Sequence, residues 1–243
     1  MTARLTPPRL PRSIGAEDGV GITYRGFPTL NEEIRAWREG YRHVAGVDEA
    51  GRGPMAGPVV AGAVILDPQF AALWWSELRD SKLLTAKRRA ELARRLRESS
   101  AFGTGAASNE EIDSLGLMEA TRQAMLRALA ALPCQPQLLL IDAMRLPQDG
   151  AWAQRPVIHG DALAVSVAAA SVLAKVERDR LMDEYHRSYP LYGFSHNRGY
   201  CTTGHLQALA EHGPCPIHRR SFAPVRAFFE VQTELPEVAS GGP

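Results

Sequence analysis

The sequence predicts an α/β fold with a mixed central sheet of about five strands flanked by helices, and a C-terminal helical extension. Three observations carry this. Short apolar, β-branched runs alternate with helical stretches from residue 44 onward. The first two runs, Val44–Val47 and Pro58–Leu66, are joined by a bend rich in glycine (Gly51, Gly53, Gly57), which fits an antiparallel pair within a mixed sheet. Acidic residues close several of the apolar runs, where open α/β sheets place their sites.

The elements follow in order. Residues 1–25 read as an arm, and 29–39 as a short helix entered through Thr29-Leu30-Asn31-Glu32-Glu33. After the first strand pair, Thr85 is placed to cap a helix reaching about Glu98. Between Lys82 and Arg97 stand seven basic residues against the single Glu91, a phosphate-facing surface or a solvated face without a partner. Ala101–Ala107 is a third strand, and Ser108-Asn109-Glu110-Glu111 is a capping box. A helix over Leu117–Leu132 follows, with Met118, Met125, Leu129 and Leu132 on one face. Gln137–Ile141 and Val157-Ile158 complete the strands, ending in Asp142 and leading into His159-Gly160-Asp161. Residues 161–187 form one long helix or two abutting ones. The small apolar part, Ala162–Ala174, is buried with close backbone packing, and the charged part, Lys175–Arg187, emerges into solvent. Tyr189–His205 is an ordered loop, Leu206–His212 a short helix, and Pro224–Glu230 closes the fold.

Composition sets the background. The 243 residues are 45% hydrophobic and 23% charged, as in a folded globular chain. With 28 basic and 27 acidic residues the net charge is +1, so any nucleic-acid footprint must be local. Three cysteines without a CxxC pair fit a reducing cytoplasm, and neither a signal peptide nor an apolar run long enough to span a membrane is present.

The chemistry concentrates in Asp48-Glu49-Ala50-Gly51-Arg52-Gly53-Pro54. Adjacent carboxylates at the end of a core strand need a cation, either an arginine or a bound metal ion. Asp142 and Asp161 end two further apolar runs, so neighbouring strands would converge four carboxylates on one pocket. Such a group suits two divalent ions and phosphodiester hydrolysis. Because strand neighbours point to opposite faces, Asp48 and Glu49 share a site only if the chain bends there, which Gly51 and Gly53 would allow. The glycines at 51, 53 and 57 precede a strand, unlike a dinucleotide-binding loop. Cys201, His205, His212, Cys215 and His218 form a second cluster with donors suited to zinc, at spacings of no common finger.

These motifs together are similar to bacterial ribonuclease HII, of the type 2 ribonuclease H family. The resemblance rests on the Asp48–Pro54 motif, Asp80-Ser81-Lys82, Leu140-Ile141-Asp142-Ala143, Gly160-Asp161, Ala168–Val176, Gly199-Tyr200 and His218-Arg219-Arg220-Ser221-Phe222, all in family order over about residues 42–230. Arg52 between two glycines favours the HII over the HIII type.

The resemblance implies a ribonuclease H-like fold in which 1–40 is an N-terminal arm, 41–231 the catalytic domain and 232–243 a flexible tail. It implies Asp48, Glu49, Asp142 and Asp161 as catalytic metal ligands for Mn²⁺ or Mg²⁺, two ions per site when substrate is bound. The substrates would be RNA–DNA hybrids and duplex DNA carrying single ribonucleotides, cut to 3′-hydroxyl and 5′-phosphate ends. Gly51, Arg52 and Gly53 would read the ribonucleotide 2′-hydroxyl, Tyr200 would stack on the following deoxyribose, and Ser81 and Lys82 would also touch substrate. A cytoplasmic monomer, open to recruitment by a replication or repair partner, is expected. The chain departs from the family at Asn197-Arg198 and at His159, where a lysine phosphate contact becomes a histidine. Two other classes stay open: a different metal-dependent DNA nuclease of this fold, and a non-catalytic hybrid-binding module.

Overall fold

The computed structural model describes residues 27–68, 73–78, 81, 84–141, 144–147 and 152–233. Their chain order is α1 (Asn31–Arg38), β1 (Val44–Ala50), β2 (Val59–Ile65), α2 (Ala86–Ser99), β3 (Ala101–Ala107), α3 (Asn109–Leu115), α4 (Leu117–Ala130), β4 (Leu138–Ile141), β5 (Ala153–Pro156), α5 (Gly160–Leu163), α6 (Val165–Ser188), α7 (Phe194–Asn197), α8 (Thr203–His212) and α9 (Ala223–Thr233). The chain divides into two compact units. One holds the residues to Ala50, Val60–Ala106 and Arg122–Glu177; the other holds Gly51–Val59, Ala107–Thr121 and the residues from Arg178.

The first unit is organised by a five-stranded sheet in the order β3-β2-β1-β4-β5. β1 runs antiparallel to β2 and parallel to β4, and β4 runs parallel to β5, so the expected mixed sheet is present. All seven residues of β2 and all four of β4 are buried, which explains their unbroken apolar sequence. Helix α6 lies on the sheet at backbone contact distance. A Cβ added at Gly62 of β2 would collide with the Ala170 carbonyl of α6, and one at Gly46 of β1 with the Ser166 backbone. The small residues Ala168, Ala169, Ala170 and Ala174, all fully buried, are the helix side of that approach.

Local signals account for several termini. Thr85 accepts from the Arg88 amide at the start of α2, and the Ser108–Glu111 capping box is complete at α3. The long helical stretch resolves into two helices, α5 and α6, meeting at Ala164. The last strand lies earlier than expected. β-branched Val157-Ile158 suggests a strand by propensity, but the parallel register pairs Leu138 with Ala153 and Ile141 with Pro156. Val157 still donates to the Ile141 carbonyl at 2.9 Å, while Ile158 stands 71% exposed in the turn that follows. An edge strand tolerates the proline and the exposed side chains of β5.

The basic run on α2 is largely compensated. Arg94 and Arg95 pair with Glu91, Arg94 also with Glu98, Arg88 with Glu77 and Arg97 with Glu177. That favours a solvated face over a phosphate track. In the second unit, Ala56, Met182, Tyr192, Phe194, Ala208 and Ile217 form one apolar cluster, and Met55, Leu209 and Val225 another. Among the described residues no helix is long and apolar enough to cross a membrane.

Candidate active site

In the first unit, β1 carries Asp48 and Glu49 in regular ladder positions opposite Gly62 and Ala61. The bend expected at these residues begins later, at Gly51, whose φ is 98°. Neighbours in a regular strand alternate between faces, yet the charge of Glu49 acts on the Asp48 carboxyl. Val47 pairs with Ile141, so β1 and β4 are neighbours as the convergence argument requires. Asp142, next in sequence, lies outside the described residues, as do Asp80 and Lys82.

Asp48 is 8% exposed. Burial pushes its carboxyl well above the ordinary carboxylate range, and the charges of Glu49 and Asp161 add to the effect. Hydrogen bonds with the Ser171 side chain on α6 and with the Glu49 backbone act in the opposite direction. The Ser171 hydroxyl also lies 3.0 Å from that of Ser81. Ser171 is the donor of that pair, so its hydroxyl links Asp48 to Ser81. Ser81 is 3% exposed and faces Ser171, which makes it a support for Asp48 rather than a surface contact.

Asp161 sits in the first turn of α5, reached through His159 in the left-handed conformation. Among the described residues no three histidine, cysteine, aspartate or glutamate side chains form a complete metal-binding group. Yet a buried carboxyl crowded by two like charges, and answered by one hydroxyl and one backbone group, is a place where a cation would be favoured. Hard divalent ions with oxygen preference fit that donor set.

The second unit holds the glycine-arginine turn and Tyr200. Arg52 and Gly53 are exposed, and Arg52 Nη2 lies 3.2 Å from the Met118 sulfur. Tyr200 is 46% exposed, and its ring stands 3.6 Å from where a Gly53 side chain would begin. Asn197 closes the preceding loop on itself, donating to the Tyr192 carbonyl and accepting from the Gly199 amide. Arg198, left-handed at φ 51°, is tied to Asp183 at 2.5 Å and to the Asp179 carbonyl at 2.9 Å. The departure from the family pattern at these two positions is thus spent on holding the loop.

The cysteine-histidine cluster behaves as a hydrogen-bonded core. His205 Nε2 meets His218 Nε2 at 3.1 Å, His205 Nδ1 meets the Tyr200 carbonyl at 2.8 Å, and His218 Nδ1 meets the Cys215 amide at 3.0 Å. Arg178 escapes sequence reasoning altogether, and Ser171, Arg219 and His205 stand there only within motifs or a candidate zinc cluster, without the roles that the structure gives them. Arg178 and Arg219 are the largest side chains fully buried among the described residues, whereas arginine in a sequence reads as surface.

A mixed sheet in this order, with carboxylates at its centre and an alanine-rich helix laid across it, defines a nuclease of the ribonuclease H-like fold. The chain belongs to the ribonuclease HII family, whose profile matches residues 45–225. Ribonuclease HII of Desulfitobacterium hafniense is 49% identical over 203 residues, 83% of this chain and 76% of that protein. The crystal structure of ribonuclease H2 from Pyrococcus horikoshii OT3 is 27% identical, with a TM-score of 0.66 over 79% of this chain and 99% of that one. Bst-RNase HIII, solved in complex with Mn²⁺, shares the fold at 18% identity and a TM-score of 0.58, over 78% of this chain and 70% of that one. The chain is therefore a ribonuclease H, a nuclease and a hydrolase.

Proposed function

We propose that this ribonuclease H cuts the RNA strand of RNA–DNA hybrids and incises on the 5′ side of single ribonucleotides in duplex DNA. The observation that carries the reading is Asp48, a buried carboxyl beside Glu49 and Asp161 that burial alone would neutralise. With Asp142 these would form the ligand set for Mg²⁺ or Mn²⁺. When bound, a pair of such ions supplies the Lewis acidity that activates water and stabilises the leaving oxygen.

The chain's own residues do the rest. Ser171, itself bonded to Ser81, and the Glu49 backbone hold the Asp48 carboxylate in place for a cation. Asp161 is presented from a one-turn helix rather than a mobile loop. Water attacks phosphorus, the P–O3′ bond breaks, and the O3′ leaves with a proton, giving 3′-hydroxyl and 5′-phosphate ends. The Gly51-Arg52-Gly53 turn reads the 2′-hydroxyl, and Tyr200, exposed beside Gly53, stacks on the next deoxyribose. The Mn²⁺ found in Bst-RNase HIII supports the choice of cation.

The test is cleavage of a DNA duplex containing one ribonucleotide, in Mg²⁺ and in Mn²⁺, beside an all-DNA control and the Asp142→Asn variant. We expect a single cut 5′ to the ribonucleotide, no cut in the control, and turnover in Asp142→Asn reduced by about a hundredfold or more, as for loss of a charged catalytic group. Equal cutting of the all-DNA duplex would make it a DNA nuclease of the same fold. Binding of a hybrid without turnover in either metal would make it a binding module.

A further inference from the structure

The His218-Arg219 pair matches the family pattern, yet the chemistry above gives it no task. Both residues are buried; Arg219 reaches backbone oxygens of the glycine-arginine turn directly, and His218 reaches the Tyr200 carbonyl through His205. Arg219 Nη2 donates to the Gly51 carbonyl at 2.6 Å, Nη1 to the Arg52 carbonyl at 3.0 Å and Nε to the Gly57 carbonyl at 2.9 Å. Arg178 holds the far side of the same loop, donating to the Pro58 and Ala56 carbonyls at 3.1 and 3.3 Å. Its Nη2 also reaches the Arg198 carbonyl at 3.0 Å.

Peptide planarity turns this into an orientation. In a trans peptide the C=O and the following N–H point opposite ways. With the Gly51 and Arg52 carbonyls turned onto the buried guanidinium, the amides of Arg52 and Gly53 are directed away from it. Two amide donors on the exposed turn are thus aimed by Arg219. Burying a guanidinium costs several kcal/mol. A fold that needed only packing would have used an apolar residue.

His218 serves the other reader. His218 Nδ1 faces the Cys215 amide, Sγ and carbonyl at 3.0, 3.1 and 3.2 Å. The Tyr200 carbonyl can only accept, so His205 donates to it from Nδ1. His205 Nε2 then accepts, and the proton between the two rings sits on His218 Nε2. The reverse assignment would set two acceptors against each other at 2.8 Å. His218 and Arg219 are themselves pinned by a bridge of His218 to Ala56 and by the Arg219 amide on the Met55 carbonyl.

We infer that His218-Arg219 is the positioning element for substrate discrimination. Arg219 aims the Gly51-Arg52-Gly53 turn at the ribose 2′-hydroxyl, and His218, through His205, sets the backbone of Tyr200. This rests on the reading of that turn and of Tyr200 given above.

The test is fluorescence anisotropy in EDTA, comparing a DNA duplex with one ribonucleotide against the same all-DNA duplex, for wild type, Arg219→Lys and His218→Phe. Lysine keeps the charge but cannot span three carbonyls, and phenylalanine keeps the ring without its nitrogens. We expect each variant to lose about tenfold of the preference for the ribonucleotide duplex, the scale of one or two hydrogen bonds, with unchanged all-DNA affinity. An equal fall on both duplexes, or an unchanged preference in both variants, overturns the proposal. If Arg219→Lys does not fold, His218→Phe decides by the same ratio. Loss of folding in both overturns the proposal, by making the pair an ordinary core element. A wild type without any preference instead removes the reading of the turn on which the proposal stands.

Discussion

Glu33 shows how one residue can reach beyond its own segment. It lies on α1, before the family's matched region, yet it is fully buried and accepts from the Ser166 amide at 2.7 Å. Thr29 adds backbone bonds to Leu163 and Val165, so this segment secures the junction between α5, which carries Asp161, and α6. Burial raises the Glu33 carboxyl from 4.5 to about 7. Between those values the folded protein keeps a proton that the unfolded chain has lost, so stability falls as pH rises from 4.5 to about 7 and levels off above. Glu33→Gln retains the acceptor and removes the charge. It should be more stable than wild type by about 2 kcal/mol at pH 8, at 1.36 kcal/mol per unit of pKa and less a penalty for the new amide protons. That advantage should vanish near pH 4.5. Urea unfolding of both proteins at the two pH values checks this; parallel curves would contradict it.

Among elements, α6 decides most about the site. Its alanine face allows backbone contact with β1 and β2, and that approach is what brings Ser171 to Asp48. Gly62→Ala should therefore cost about 2–3 kcal/mol, because the new methyl meets the Ala170 carbonyl backbone and neither side can yield cheaply. Gly204→Ala on α8, where nothing lies within 4 Å, should be neutral or slightly stabilising. Denaturant midpoints of the two variants against wild type give the comparison. Equal effects would mean that the helix is free to shift on the sheet.

On the scale of the whole molecule, the two units answer acid differently. Burial and the neighbouring His205 lower His218 to about 4, and burial also lowers His205. Both stay neutral in the fold. From pH 6.5 down to about 4 the unfolded chain takes up protons that the folded pair refuses, so this contribution to stability is full above 6.5 and lost as pH falls. Hydrogen exchange, corrected for its intrinsic pH dependence, should then lose protection around residues 203–222 between pH 6.5 and 4. The strands β1 and β4 of the first unit should keep theirs; uniform loss in both would contradict the assignment.

How far the sequence reaches can be seen in particular residues. Thr85, the Ser108–Glu111 capping box and the apolar runs of β1, β2 and β4 are legible because caps and strand burial are local rules acting over a few residues. The Asp48–Pro54 motif, by the same logic, marks the site and the family before any fold is known. Val157-Ile158 misleads because propensity says nothing about register, which β4 imposes. Arg178, Arg219, His205 and Glu33 look like surface residues in the chain. Their roles depend on backbone oxygens and amides more than a hundred residues away in several cases, as with Arg219 to Gly51 and Glu33 to Ser166. The sequence by itself determined the class of fold and the family, since these rest on composition, local pattern and motif, and it proposed the carboxylates of the site. Only the tertiary structure decided which groups hold Asp48, the turn and Tyr200 in place, because a buried charge is tolerated only where distant parts of the chain supply its partners.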